Sequence, residues 1–248
     1  MNVTQLNAIS RLFSTNPNEA KALVKLASIE VLTSLGSKKY SISLNSKQLN
    51  AQSEKTLLEG SKYWTQFTQT KNQTPTLSKL LKMPSIMKEL QLHSQTYSTK
   101  ELLNLFKSNN PEKSMKNSLL EKLTTATNKE EFSANSNLLL SLQNSVFTIP
   151  LNFHNYFSIL QFKKRYNKKT KKSHIDFYAA LEFLGPVSGI ISLENSDIKI
   201  VLHVAFAKTE EFLQNEIKNF SYDIEITLVD TIEPLFESHI NSLLDINV

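Results

Sequence analysis

The stretch from His174 to Phe220 constrains this chain most, because it reads as three strands and a crossing helix with little freedom in register. In HIDFYAALEF, Ile175, Phe177 and Ala179 point one way and Asp176, Tyr178 and Ala180 the other, the period of two that a half-buried strand requires. Gly185 and Pro186 break it, since glycine reaches φ angles closed to other residues and proline lacks the N–H that a ladder uses. Ile190, Ile191 and Leu193 resume an extended run, Glu194 to Asp197 supply a polar turn, and Ile198 to Phe206 form a second, more apolar strand. Thr209 reads as the N-cap of the helix that follows, with Glu210 and Glu211 in its first turn and Phe212, Leu213, Ile217 and Phe220 as its buried stripe. Asp223 and Glu225 then alternate with Ile224 and Ile226 along a terminal strand, which puts both carboxylates on its wet face.

A chain of 248 residues that is 40% hydrophobic can bury a core of this kind and more. Without cysteine it has neither a disulfide framework nor a thiolate metal site, which fits a reducing compartment. The first residues lack a basic segment followed by an apolar one, and no apolar run approaches the ~18 residues that a membrane span needs. A cytoplasmic protein without membrane insertion is therefore expected. Charge divides sharply: from Ser173 onward 13 acidic residues face three lysines, net −10, so residues 1–172 carry +15 of the total +5.

The rest of the chain suggests an α+β protein in three parts. Residues 1–80 read as a helical lead (Asn2 to Ser14, Glu19 to Ala27) and a small barrel-like β unit. Its strands fall in IEVLTSLGSKKYSISL, NSKQLNAQ and KYWTQF, with turns at Gly36, Asn45-Ser46 and Glu59-Gly60. Residues 81–145 form a helical middle or linker. Apolar residues from Leu77, Leu80 and Leu81 through Ile86, Met87 and Leu90 to Leu138, Leu139 and Leu142 recur at helical spacing, as four or five short helices that cover the barrel. Residues 146–248 form a mixed domain with an antiparallel hairpin sheet and a packed helix. Between its SILQF strand and the His174 strand lies KKRYNKKTKK, whose Lys163, Lys164, Arg165, Lys168, Lys169, Lys171 and Lys172 read as a solvated basic loop. Only Tyr166 interleaves these charges, so nucleic acid is not the favoured partner.

Catalytic signatures are missing. None of the four glycines builds a phosphate loop, and the five histidines show no metal-ligand spacing. Ser188 lies in GPVSG, which is not a nucleophile elbow, and no desolvated pair of carboxylates is indicated. The expectation is a non-enzymatic protein with no catalytic residue, no metal and no cofactor.

The C-terminal part resembles the C-terminal domain of the bacterial flagellar hook-length control family. The residues that carry the likeness are Leu181, Leu184-Gly185, Val187, Ile190-Ile191, Ile198 to Val204, and Glu211-Phe212-Leu213 leading into Ile217. The first half is also similar to the small β unit near the N-terminus of shorter members, through VLTSLGSKKYSISL, LNAQ and LLEGSKYW. The resemblance implies a regulator of flagellar type III export that controls hook length and switches export from hook-type to filament-type subunits. It implies a C-terminal domain that contacts the cytoplasmic part of the export gate protein, hook or hook-cap proteins as further partners, and passage of the chain through the export channel. The expected docking surface is the apolar turn Leu184, Gly185, Pro186 and Val187. Two other functions fit the residues: a nucleic-acid-binding protein using basic residues 1–172, and an adaptor or chaperone for exported subunits.

Overall fold

A computed structural model describes residues 24, 26–68, 76–94, 96–153, 156–169, 171–194 and 197–237. The two expected N-terminal helices lie outside these residues except at their end, where Val24 is helical and Ala27 already begins a strand. The fold is mixed α+β, with a closed five-stranded barrel and a six-stranded sheet.

The barrel comprises β1 (Ala27–Gly36), β2 (Lys39–Leu44), β3 (Lys47–Ser53), β4 (Lys62–Thr68) and β5 (Thr76–Lys82), in the order β1-β2-β3-β5-β4. Two-residue turns join its first three strands. Ser37, Lys38, Asn45 and Ser46 all take positive φ there, the turn geometry that matches strand twist. Ile29, Val31, Tyr40, Ile42, Ala51, Tyr63 and Leu77 fill the interior. The Tyr40 and Tyr63 hydroxyls accept hydrogen bonds from the Leu57 and Leu58 N–H groups, so the two phenols also hold the loop that caps the barrel.

β5 corrects the sequence expectation, which placed its leucines on a helix. Leu77 and Leu80 both face the barrel core although they stand three positions apart, an odd spacing for one face of a strand. An extra residue between Ser78 and Leu81, opposite the Trp64 to Gln66 step of β4, supplies the phase change, and Lys79 takes the left-handed conformation there (φ 47°).

Four helices follow: α1 (Ser85–His93), α2 (Thr99–Lys107), α3 (Pro111–Thr125) and α4 (Lys129–Gln143). The starts of the last three are written in the sequence. Ser98 and Glu101 close a reciprocal capping box on α2, Asn110 caps α3 with Pro111 behind it, and Asn128 caps α4. The expectation that these helices cover the barrel is corrected. Ile86, Leu90, Leu102, Phe106, Met115, Leu119 and Leu138 belong to the core of the C-terminal sheet, separate from the barrel interior. The Phe106 ring sits 5.9 Å from that of Phe147 and 6.0 Å from that of Phe162.

The sheet runs β6 (Phe147–Phe153), β7 (Tyr156–Asn167), β8 (Lys172–Leu181), β9 (Gly185–Glu194) and β10 (Asp197–Val204) as an antiparallel meander. Helix α5 (Ala207–Glu216) then crosses back, so that β11 (Asp223–Leu228) adds in parallel to β10 at the edge. α5 begins at Ala207 after an extended Phe206, two residues before the expected cap. Thr209 is instead buried, and its hydroxyl donates to the Leu184 carbonyl at 2.8 Å.

One side chain joins the two sheets. In β4 the strand period turns Tyr63 into the barrel and Trp64 out of it, and the fully buried Trp64 indole N–H donates to the Leu181 carbonyl at 3.1 Å.

Candidate functional site

The turn on which a docking surface was expected is packed inward. Leu184 is 6% exposed and Val187 is fully buried, with Gly185 and Pro186 buried between them. Gly185 has φ +78°, and a Cβ on it would stand 2.8 Å from the Phe206 ring, so the position demands glycine twice over. These four residues hold β8, β9 and α5 together, and the expectation of an exposed apolar patch is corrected. The exposed groups of this sheet lie on a different surface.

The register of the sheet identifies one. Antiparallel pairing of β8 with β9 and β9 with β10, then parallel pairing with β11, aligns four residues in each of three rows on one face. The rows are His174, Ser192, Lys199, Asp223; then Asp176, Ile190, Val201, Glu225; then Tyr178, Ser188, His203, Thr227. Exposure rises across them, from buried Tyr178 to the exposed Asp223, Glu225 and Thr227 of β11. Ile190 is 39% exposed at the centre with half-buried Val201 beside it, and the charged residues surround that pair. An apolar centre with a mixed-charge rim is the anatomy of a protein interface. Among the described residues β11 has β10 as its only strand neighbour, which leaves a free edge next to the rows.

The same face is closed on its other side by a strap, residues 230–237, which has no regular secondary structure. The fully buried Gln161 grips it: its Oε1 accepts from the N–H groups of Leu235 (2.8 Å) and Phe236 (3.2 Å), and its Nε2 donates to the Phe236 carbonyl (2.7 Å). Glu237 ends the strap at the start of α1, where one carboxylate oxygen accepts from the Ser85 N–H at 2.9 Å and the Ser85 hydroxyl at 3.1 Å, satisfying one free N–H of the first turn. Burial pushes the Tyr178 phenol far above its usual range, and the nearby Glu237 charge adds to the shift, so this tyrosine is a neutral group rather than a base.

The basic stretch is not a loop throughout. β7 and β8 continue their ladder into it, with Lys163 opposite Asp176, Lys164 opposite Ile175, Arg165 opposite His174, Tyr166 opposite Ser173 and Asn167 opposite Lys172. Arg165 and His174 both reach the Asp176 carboxylate, at 2.9 and 3.3 Å. Lys168, Lys169 and Lys171 form the exposed tip.

Among the described residues no group of three or more His, Asp or Glu stands close enough to hold a metal ion. His93 lies at the end of α1, and the half-buried His203 has its Nδ1 sealed from solvent without a hydrogen-bond partner. His154 and His239 lie outside the described residues. A cavity of about 280 Å³ opens where the barrel, α1 and the sheet meet, with Lys62, Lys82 and Lys88 on its wall beside Glu182 and Met83. Lys88 is already paired with Glu30 at 2.6 Å. No helix of the described residues is long and apolar enough to cross a membrane.

The free edge and the three rows were not found from sequence. Asp223 and Glu225 were placed on a wet face, and both are exposed, but the parallel return of β11 beside β10 is set by the crossing of α5 and has no local sequence signal. Compared with known proteins, the chain matches no family model, no curated protein and no solved structure.

Proposed function

We propose that this chain is a non-enzymatic regulator of flagellar type III export, acting in hook-length control and substrate-specificity switching by docking its C-terminal sheet on the cytoplasmic part of the export gate. One observation carries the reading. From β8 the chain passes through the buried Leu184-Gly185 turn into the β9–β10 hairpin and then α5, the succession of elements that the resemblance implies. The docking surface in this proposal is the row of Ile190, Val201 and Glu225 with the free edge of β11, because these groups are accessible where the Leu184 to Val187 turn is not. An extended segment of the partner adds to that edge as a further strand, and the Ile190–Val201 pair provides the apolar centre. The protein acts from the cytoplasm, and hook or hook-cap proteins are further partners.

The test is a pull-down of the full chain against the soluble domain of the export gate at low and high salt, with Ile190→Asp as the variant. Retention that survives high salt and drops at least tenfold in the variant supports the reading. Equal retention of both chains, or none, contradicts it. Co-purification with hook or filament subunits in place of the gate would point to an adaptor or chaperone.

A further inference from the structure

The cavity at the junction of the barrel, α1 and the sheet takes its walls from all three. Ser28 comes from β1, Lys62 from β4, Lys82 from β5, Met83 from the β5–α1 connection, Met87 from α1 and Phe157 from β7. Ligand pockets concentrate at junctions of this kind. Its volume of about 280 Å³ stands at the lower end of the usual pocket range, so it suits a small molecule and not a length of chain.

The charges around it are unevenly satisfied. Glu30 accepts from the Lys88 ammonium at 2.6 Å, Glu237 accepts from Ser85 at 2.9 and 3.1 Å, and Glu182 has an interaction of its own. Every carboxylate next to the cavity among the described residues is thereby engaged. Lys62 and Lys82 differ, since among the described residues neither ammonium has a carboxylate within ion-pair distance. Register explains the pattern. Lys62 stands across from Glu30, but the Glu30 carboxylate is taken by Lys88 of α1. Tyr63 pairs with Lys82, and the Met83 N–H donates to the Lys62 carbonyl at 2.8 Å, so the two lysines occupy adjoining positions on adjacent strands. The Ser28 hydroxyl has only the Met83 sulfur, at 3.9 Å, which is a weak acceptor. Against these polar groups stand Met83, Met87 and Phe157, all buried and apolar. Thioether side chains adapt to the shape of an apolar guest.

We propose that this cavity binds a small organic carboxylate, its head on the Lys62–Lys82 pair and the Ser28 hydroxyl and its apolar body against Met83, Met87 and Phe157. Two lysines amid three engaged carboxylates suit a singly charged head better than a phosphate dianion. The first N–H of α1 takes no part, because Glu237 already occupies it. Such a ligand touches the barrel, α1 and the sheet together, and its site is separate from the rows on β8 to β11.

The test is a titration of the full chain with phenylpropanoate, followed by proton–carbon NMR of the methionine methyl groups. The chain has four methionines, of which Met83 and Met87 line the cavity and Met115 lies in the core on α3. Saturable shifts of the Met83 and Met87 signals are expected, with Met115 unmoved. Lys62→Gln/Lys82→Gln is expected to weaken binding at least tenfold, while Lys39→Gln/Lys47→Gln, which removes the same charge elsewhere on the barrel, leaves it unchanged. An unaltered Met115 signal in each variant shows that the fold is kept. Phenylpropanol, with the same body and no charge, and acetate, with the head alone, are each expected to bind at least tenfold more weakly. Absence of saturable shifts up to the solubility limit of phenylpropanoate overturns the proposal. So does equal affinity for phenylpropanol, or equal affinity in the Lys62→Gln/Lys82→Gln variant. Phenyl phosphate binding tenfold more tightly than phenylpropanoate would overturn the singly charged head.

Discussion

Gln161 shows how one residue can fix a segment that has no secondary structure of its own. It is a fully buried amide in the middle of β7, and its carbonyl and amide groups satisfy three backbone groups of the strap. Replacing it with leucine of similar volume removes those bonds and leaves Leu235, Phe236 and the strap to water. The expected cost is about 2–3 kcal/mol, from roughly 1 kcal/mol per lost hydrogen bond, measured as a shift in the urea midpoint at constant slope. SILQF was legible as a strand, yet the purpose of its glutamine was not, because the partner groups lie 74 and 75 residues away. Gly185 was legible for the opposite reason: its need for positive φ is a local property of the turn it makes. What the sequence left open there was whether Leu184 and Val187 face solvent or core, since an apolar residue beside a turn suits either. Packing of α5 decides it, with the Thr209 hydroxyl fastening the Leu184 carbonyl from above.

At the level of elements, local chemistry was readable wherever a cap or a tight turn declares itself. Ser98 and Glu101 form the capping box of α2, and the Ser98 backbone N–H, followed by its hydroxyl, holds the Glu101 carboxyl below its ordinary range. A carboxyl lowered on folding contributes stability that is present at neutral pH and lost as pH falls through its folded value. The gap in thermal stability between the native chain and Glu101→Ala is therefore expected to be widest near neutral pH and to narrow on acidification below the usual carboxylate range. A gap that does not change with pH would contradict the assignment. β5 was misread because a bulge imitates a helix: the extra residue at Lys79 moves Leu80 into phase with Leu77, and a spacing of three followed by a neighbouring leucine looks like one helical face. Since Lys79 takes the left-handed conformation, Lys79→Gly is expected to preserve or raise the melting temperature, while the β-branched Lys79→Val lowers stability by about 1–2 kcal/mol. Equal melting temperatures for the two variants would contradict the bulge.

Across the whole molecule, the distribution of charge was visible in the sequence but its geometry was not. The acidic C-terminal third becomes a rim around Ile190 and Val201 and along β11, while the basic stretch becomes the end of the β7–β8 hairpin in the same sheet. The barrel is joined to that sheet through Trp64, whose aromatic body is buried in the larger core and whose indole N–H ends on β8. Strand existence follows from alternation that any single segment shows. Strand order depends on the crossing of α5 and on helices α1–α4 packing against the larger sheet, and these are properties of several distant segments together. The candidate docking surface emerges only when β9, β10 and β11 are aligned, which is why the sequence pointed to the turn and not to the rows.

Hydrogen exchange of the full chain, alone and with the soluble domain of the export gate, tests the proposed docking most directly. Backbone amides of β11 and of β10 around Val201, together with those near Ile190, are predicted to exchange at least tenfold more slowly in the mixture, with no added protection at the already buried Leu184 to Val187 turn. Protection that leaves β9 to β11 unchanged, or no change anywhere, would contradict it.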